Sequence, residues 1–357
     1  MSWRLLNWWC ALICLLAAGC GTLPSQSGIE PVRRSQPLLG TFVVITAYAA
    51  SNEQAHLAIN AAFDEIRRVD SVFSLHRSDS ELSRVNATAD REAVAVSDEL
   101  AVVVLYALDV ARDTEGAFDP TVGPVVQLWG FLWKEHRFPA LHELAAARAR
   151  VGYRLVELDP PEHTIRFLTN GVVLDLNAIA KGYAVDRAVE KLRSHGISNA
   201  MVRAGGDLRV IGTPPGETAW TVQLEDPGRK RLRKSIQLRD QALSTSGSYE
   251  NFFIREGRRY SHLLDPRTGW PVEGIASCSV IGRTCTESDA WSTALFVLGP
   301  DRALKEFGPK MPMLFGIWRA DGDVTFRESP SFPPVDQPLL ARILLLVRRD
   351  ESGRTEF

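Results

Sequence analysis

This sequence lacks the common marks of nucleotide and zinc chemistry. It has no Walker A run and no Gly-x-Gly-x-x-Gly fingerprint, so the familiar nucleotide-binding folds get no support. Cysteine occurs only five times, and no Cys or His cluster has zinc spacing. A charge excess is missing as well. With a formal net charge of -2 and no stripe of Lys and Arg interleaved with aromatics, the chain has no nucleic-acid footprint. Small molecules or proteins are the expected partners. What remains is ordinary globular material of 357 residues, 45% apolar and 24% charged, long enough for one large domain or two modest ones.

The amino end is the first informative stretch. Arg4 precedes an apolar run broken by Asn7 and ending in Leu16-Ala17-Ala18-Gly19-Cys20, which reads as a signal peptide over residues 1–19 closed by a lipobox. The small residues fit a narrow peptidase groove, and the Cys20 thiol is where a bacterial lipoprotein receives its diacylglyceryl chain. An amino-terminal membrane anchor is the competing reading, but the run falls short of the roughly 20 apolar residues a spanning helix needs. Gly, Ser and Pro without periodicity follow, and residues 20–37 are read as a tether. Cys10 and Cys14 leave with the signal. Cys278 and Cys285 remain, and their spacing fits either a disulfide or two free thiols.

Thr41 to Tyr48 is rich in β-branched residues and predicts a strand. Ser51 and Gln54 form a capping box ahead of Ala55, Ala58, Ala62, Ile66, Val69 and Phe73 at helical spacing. Further helices are predicted from Ser97 to near Gly116, from Ala140 to Val151, from Ala178 to Gly196 and from Glu287 to Leu298. Asn170-Gly171 predicts a tight hairpin between two strands. Short β-rich runs between Met201 and Val280 predict a meandering antiparallel sheet. Without regular βαβ alternation the expected class is α+β, with mixed or antiparallel sheets and flanking helices. The catalytic domain is placed at residues 38–328. Residues 329–357 are a carboxy-terminal extension whose apolar run, Ala341 to Val347, is too short to span a bilayer and reads as a docked element.

Polar, glycine-containing segments interrupt this pattern and carry the candidate chemistry. Lys181 falls in the first turn of a helix, where backbone N–H groups attract anions and an ammonium can meet a phosphate; the plainer reading is a solvated surface lysine. Asp289, Ser292 and Thr293 share one helical face and make a hard oxygen set suited to magnesium. The plainer reading has Asp289 favouring the helix dipole and Thr293 bonding back to its own helix. Gly205-Gly206-Asp207 is either a plain turn or a close backbone approach to a ligand. Phe118-Asp119 could stack on a planar ligand and accept its hydrogen bonds, or be a buried ring and a capping carboxylate. His262 is a candidate general base because its ordinary pKa lies near the working pH, although a lone His more often just packs.

Taken in order, these segments resemble the ApbE family. The likeness runs from Leu39-Gly40-Thr41 to Gly299 and more loosely to Arg327. It includes Asp79 to Asn86, Gly116 to Pro124, Lys181-Gly182-Tyr183, Ser244-Thr245-Ser246-Gly247 and Asp265-Pro266-x-Thr268-Gly269. The resemblance implies a T-fold-like catalytic unit that uses magnesium to move FMN from FAD to a Thr or Ser hydroxyl of an acceptor protein, releasing AMP. It places Ala117, Phe118, Asp119, Asp175, Lys181 and Leu263 against FAD. It also gives magnesium the carbonyl of Ala178 and the side chains of Asp289 and Thr293, with Ser292 nearby. Leu39 stands where the family has Met, and His76 where an aromatic faces the flavin nucleotide, so these two contacts are weakened rather than removed. On this reading magnesium and Lys181 neutralise the diphosphate, while His262, or less readily Asp207, takes the acceptor proton. The implied setting is a lipid-anchored protein of the bacterial cell envelope facing the periplasm, with a membrane redox subunit as acceptor. Two alternatives stay open: an FAD pyrophosphatase giving FMN and AMP, and a flavin-binding lipoprotein without chemistry.

Overall fold

Eight strands lie side by side in the order in which the chain makes them, each antiparallel to its neighbours. They are β1 (Val32–Leu38), β2 (Thr41–Tyr48), β3 (Asn199–Ala204), β4 (Asp207–Ile211), β5 (Ala242–Gly247), β6 (Ile275–Gly282), β7 (Met313–Trp318) and β8 (Val324–Glu328). These features come from a computed structural model, which describes residues 30–225, 227 and 234–334. From Pro31 onward the described residues form one compact unit. The expected signal peptide, Cys20, most of the tether and the Ala341–Val347 element lie outside the described residues. Among those described, no helix is long and apolar enough to cross a membrane.

Alternation along the strands gives the sheet two apolar faces. Val43, Ile45, Ala47, Val202, Val280 and Phe315 join the larger core, while Leu208, Val210, Leu243, Ile281 and Leu314 join a smaller one. Four main helices serve the larger core: α1 (Asn52–Phe73), α2 (Asp98–Asp113), α3 (Ala180–Ser194) and α4 (Cys285–Leu298), with α1 against α3, α3 against α4, and α4 against β5 and β6. Their starts follow from capping chemistry. Ser51 accepts from the Gln54 N–H, Ser97 from Leu100 and Thr284 from Glu287, each meeting an N–H that has no intrahelical partner. The hairpin Trp220–Leu224 and Lys234–Leu238, together with Phe332, closes the smaller core. A third cluster, around Trp129, gathers the helices Gly123–Trp129 and Leu141–Arg148 and the hairpin Phe252–Arg255 with Arg258–Ser261.

Four expectations need correction. The tether cannot reach residue 37, because Val32–Leu38 is an edge strand paired with β2 along its length. Asn170-Gly171 turns the chain without making a hairpin; the hairpin is the preceding pair Val156–Asp159 and Thr164–Phe167, and Val173 bridges in parallel to Val122 instead. The region from Met201 to Val280 is antiparallel throughout but is shared among three sheets. The carboxy-terminal boundary at 328 falls too early. Ser329 exchanges bonds with Met313 at 2.9 and 3.0 Å, and Phe332 is buried in the smaller core.

Strand direction decides where function can sit. The turns β1–β2 and β3–β4, the end of β5, the start of β6 and the end of β7 all share one end of the sheet. Helix α3 begins on that side and runs antiparallel to α4, since Gly182 lies at Asp289 and Asp186 at Cys285.

Candidate active site

The junction of α3 and α4 is built around a missing side chain. A Cβ on Gly182 would lie 2.2 Å from the Cys285 carbonyl oxygen and 2.7 Å from the Asp289 Cβ, so only glycine allows this approach. The Gly182 N–H donates to Asp289 Oδ2 at 2.9 Å rather than to the carbonyl of Ala178 four residues back. That carbonyl is thereby left out of the helical ladder. Asp186 secures the other side, accepting from the N–H groups of Cys285 and Thr286 at 2.8 Å, from Thr286 Oγ1 at 2.6 Å and from Arg209 at 2.7 Å.

Against this junction lie Lys181, Asp207 and Asp289. Lys181 Nζ is 3.2 Å from Asp207 Oδ2 and 4.0 Å from Asp289 Oδ1, and both carboxylates are 3% exposed. Burial works against the lysine's charge, but Asp207 and then Asp289 outweigh it and hold its pKa above the ordinary value. Burial, reinforced by the Asp207 charge, pushes Asp289 up to about 7, while Lys181 and the Gly182 N–H pull it back. Asp175, buried nearby, is raised by burial and lowered in part by the Asn177 N–H, His76 and Lys181. Asp207 and Asp289 thus set two carboxylates against one ammonium.

That charge imbalance and the donor chemistry fit a hard cation. Ser246 Oγ, on β5, is 2.8 Å from Ser292 Oγ and 3.0 Å from Thr293 Oγ1, so the strand adds a hydroxyl to the helical face of Asp289 and Thr293. Among the described residues no three His, Cys, Asp or Glu side chains converge. The oxygens that do gather are hydroxyls on the helical face that also carries the Asp289 carboxylate, and the freed Ala178 carbonyl lies just ahead of α3.

His262 is the second chemical centre. Its Nδ1 lies 3.1 Å from the carbonyl oxygen of Asn251, which can only accept, so Nδ1 carries the proton and Nε2 keeps its lone pair. Burial pushes its pKa down to about 4, opposed by the Asn251 bond and assisted by the positive charge of Lys181. The ring is therefore a neutral base at physiological pH. His136 Nε2 meets Asn251 Oδ1 at 3.0 Å and steadies the same residue. Asp207, by contrast, is held by Lys181, which makes it the lysine's partner and leaves His262 as the base the geometry favours.

The expected flavin contacts divide. His76 packs edge-on against the exposed ring of Trp133 at 4.9 Å and lies within electrostatic reach of Asp175, as Lys181 does. Leu39 occupies the β1–β2 turn at φ 55°, a conformation that side chains seldom adopt. Ala117, Phe118 and Leu263 are buried, the latter two in the larger core. Asp119 caps rather than reaches outward, accepting from Thr121 N at 2.9 Å, Thr121 Oγ1 at 2.6 Å and Tyr153 N at 2.8 Å. Cys278 and Cys285 are free, buried thiols.

Three participants were not singled out from the sequence. Ser246 was visible only within a motif, although Ser244 and Ser246, two apart on a strand, had to share a face; Ser244 Oγ indeed meets Ser288 Oγ at 2.8 Å. Asp186 and Asn251 gave no local signal, because their partners are 99 and 11 residues distant.

Comparison with known proteins is consistent with this arrangement. The profile described as "ApbE family" matches residues 39–314. The FAD:protein FMN transferase of Vibrio cholerae is 35% identical over 339 residues, spanning 92% of this chain and 98% of that protein. Among solved structures, the ApbE protein of Thermotoga maritima superposes with a TM-score of 0.78 at 33% identity, covering 85% of this chain and 98% of that one. The apo flavinyl transferase ApbE of Pseudomonas stutzeri gives 0.75 at 30% identity, covering 84% and 95%.

Proposed function

The chain belongs to the ApbE family, and from that membership together with the buried Lys181–Asp207–Asp289 cluster we propose that it is an FAD:protein FMN transferase. It moves FMN from FAD to a Thr or Ser hydroxyl of another protein and releases AMP. The observation that carries this reading is the pairing of a neutral imidazole, His262, with a lysine and a carboxylate–hydroxyl face at one end of the sheet.

The chemistry follows from charge. Nε2 of His262 takes the proton as the acceptor oxygen attacks the FMN-side phosphorus. A new P–O bond joins FMN to the acceptor, the bond to the bridging oxygen breaks, and AMP leaves with the electron pair. Lys181, kept protonated by its two carboxylates, supplies positive charge where that oxygen becomes anionic. Asp289, Thr293, Ser246, Ser292 and the Ala178 carbonyl are the groups that would hold magnesium. When bound, the metal contributes Lewis-acid neutralisation of the diphosphate. His76 with Trp133, the Leu39 turn, Asp175 and the backbone around Asp119 form the FAD side.

The sequence Leu16-Ala17-Ala18-Gly19-Cys20 supports export and lipid attachment at Cys20, and so an envelope location facing the periplasm. An acceptor in a membrane redox complex would suit that location. The test uses the full chain in detergent with FAD, magnesium and a candidate acceptor domain, following intact acceptor mass and free AMP. Gain of one FMN per AMP, abolished by chelator and restored by magnesium, is expected. AMP without a heavier acceptor would make the protein a pyrophosphatase, and neither product would leave it a carrier.

A further inference from the structure

A second polar pocket lies beside the site and belongs to neither FAD nor the metal set. Its volume is about 210 Å³, and Ser248, Arg258, Arg259, Ser261, Glu273 and Trp318 are among its lining residues. That is smaller than the roughly 300–1,000 Å³ of a typical small-molecule cleft, and suits a side-chain-sized group. Along the chain it adjoins the reacting centre at two points. Ser261 is the residue before His262, and Ser248 lies two residues beyond Ser246.

Its electrostatics are specific. Arg258 is spent on Glu273, with bonds of 2.7 and 3.0 Å. Arg259 is not: its guanidinium carbon lies over the rings of Phe252 and Trp318, 4.5 and 4.7 Å from their centroids, and among the described residues no carboxylate pairs with it. The two rings hold the group in place, and among the described residues no hydrogen bond uses its N–H fork. Ser261 is 2% exposed, and its hydroxyl has no hydrogen-bond partner. Trp318 is itself anchored, donating from Nε1 to Ser248 Oγ at 3.2 Å. A rigid, unpaired guanidinium matches a carboxylate in bidentate geometry, and a buried unsatisfied hydroxyl beside it costs free energy until something binds. Glu273 at the same wall disfavours a doubly charged phosphate more than a singly charged carboxylate.

Order along the sheet says whose carboxylate this is. The FAD-side turn at Leu39 joins β1 and β2, Asp207 and Ser246 sit on β4 and β5, and Ser248, Ile275 and Trp318 end the row at β5 to β7. Leu39, read as an FAD contact, lies toward β1, and the pocket lies toward β7. We propose that the Arg259 pocket is the subsite in which the acceptor polypeptide seats an Asp or Glu side chain while presenting its hydroxyl to His262. This rests on the transferase reading above.

The test uses a set of Thr-containing peptides, each carrying one Asp or Glu at a different distance from the Thr, with Asn and Gln counterparts. FMN transfer by the full chain is followed by peptide mass. At one spacing the carboxylate peptide should exceed its amide counterpart in kcat/KM by roughly ten-fold or more. R259Q should collapse that ratio to about one with the KM for FAD unchanged, and R259E should prefer a peptide with Lys at that position. The charge reversal separates recognition from a folding defect, which would lower transfer to every peptide alike. Equal use of acid and amide peptides by the wild type, or a preference that survives in R259Q, overturns the subsite. So does competition by inorganic phosphate that depends on Arg259 when no acid preference exists, since the pocket would then serve a free anion. Failure of the transferase reading looks different: no peptide and no candidate acceptor domain gains FMN from the wild type.

Discussion

At the scale of single residues, the site is a set of groups held away from their solution behaviour. His262 is the clearest case. Its proton is fixed on Nδ1 by Asn251, and its pKa is pushed down to about 4 from 6.5. Because the free protein keeps this ring neutral, kcat/KM should lose its base only as pH falls toward 4, not through 6.5. His262→Ala should abolish that acid limb and lower transfer by about 10²- to 10⁴-fold, measured as initial rate against pH. The linkage to stability has the matching sign. Between 6.5 and about 4 the unfolded chain binds a proton that the fold refuses, so His262 erodes stability as pH drops across that window. Asp289 makes a second prediction. Its carboxylate is buried beside Asp207, so Asp289→Asn should leave the metal-free protein as stable as the wild type or raise its Tm by a few degrees, about 1 kcal/mol. The same variant should lose magnesium-dependent transfer and any thermal shift on adding magnesium, both readable by thermal melts and AMP release.

At the scale of elements, the contact between α3 and α4 sets the active geometry. Gly182→Ala places a methyl against the Cys285 carbonyl, and backbone cannot step aside as a side-chain end would. A loss of about 1–3 kcal/mol is expected, together with weaker magnesium dependence because Asp289 is displaced from the Gly182 N–H. Chemical denaturation and a metal titration check the two effects separately. Elements were also where the sequence was most legible. Ser51, Ser97 and the 3.6-residue spacing behind them announced α1 and α2, because caps and periodicity are local properties. Val32–Leu38 escaped for a physical reason: an edge strand has a solvated face, and Arg33, Arg34, Ser35, Gln36 and Pro37 are what keeps such an edge from pairing further. Asn170-Gly171 misled because Val172, Leu174 and Leu176 are buried in the core, so tertiary packing overrode the turn's preference for a hairpin. Phe118 and Leu263 are buried in the core, and a motif position does not say whether side chain or backbone faces a ligand.

At the scale of the whole molecule, eight antiparallel strands in sequential order collect residues from distant parts of the chain at one rim. Lys181 reaches Asp207 across 26 positions, and Asp289 meets Gly182 across 107. Such separations leave no trace in local periodicity, which is why the resemblance of ordered motifs carried the site further than any window of residues. The connections at that rim are unequal. Two of them, at Leu39-Gly40 and Gly205-Gly206, are two-residue turns, whereas residues 248–274 between β5 and β6 bring His262, Asn251 and the Arg259 pocket. Two-residue turns leave almost no room for variety, so the long connection is where client choice has most room to differ. That long connection behaves as an exchangeable cassette on a constant chassis. Transplanting it from a relative with a different client should carry the client preference with it, while the donor flavin and the metal requirement stay as they were.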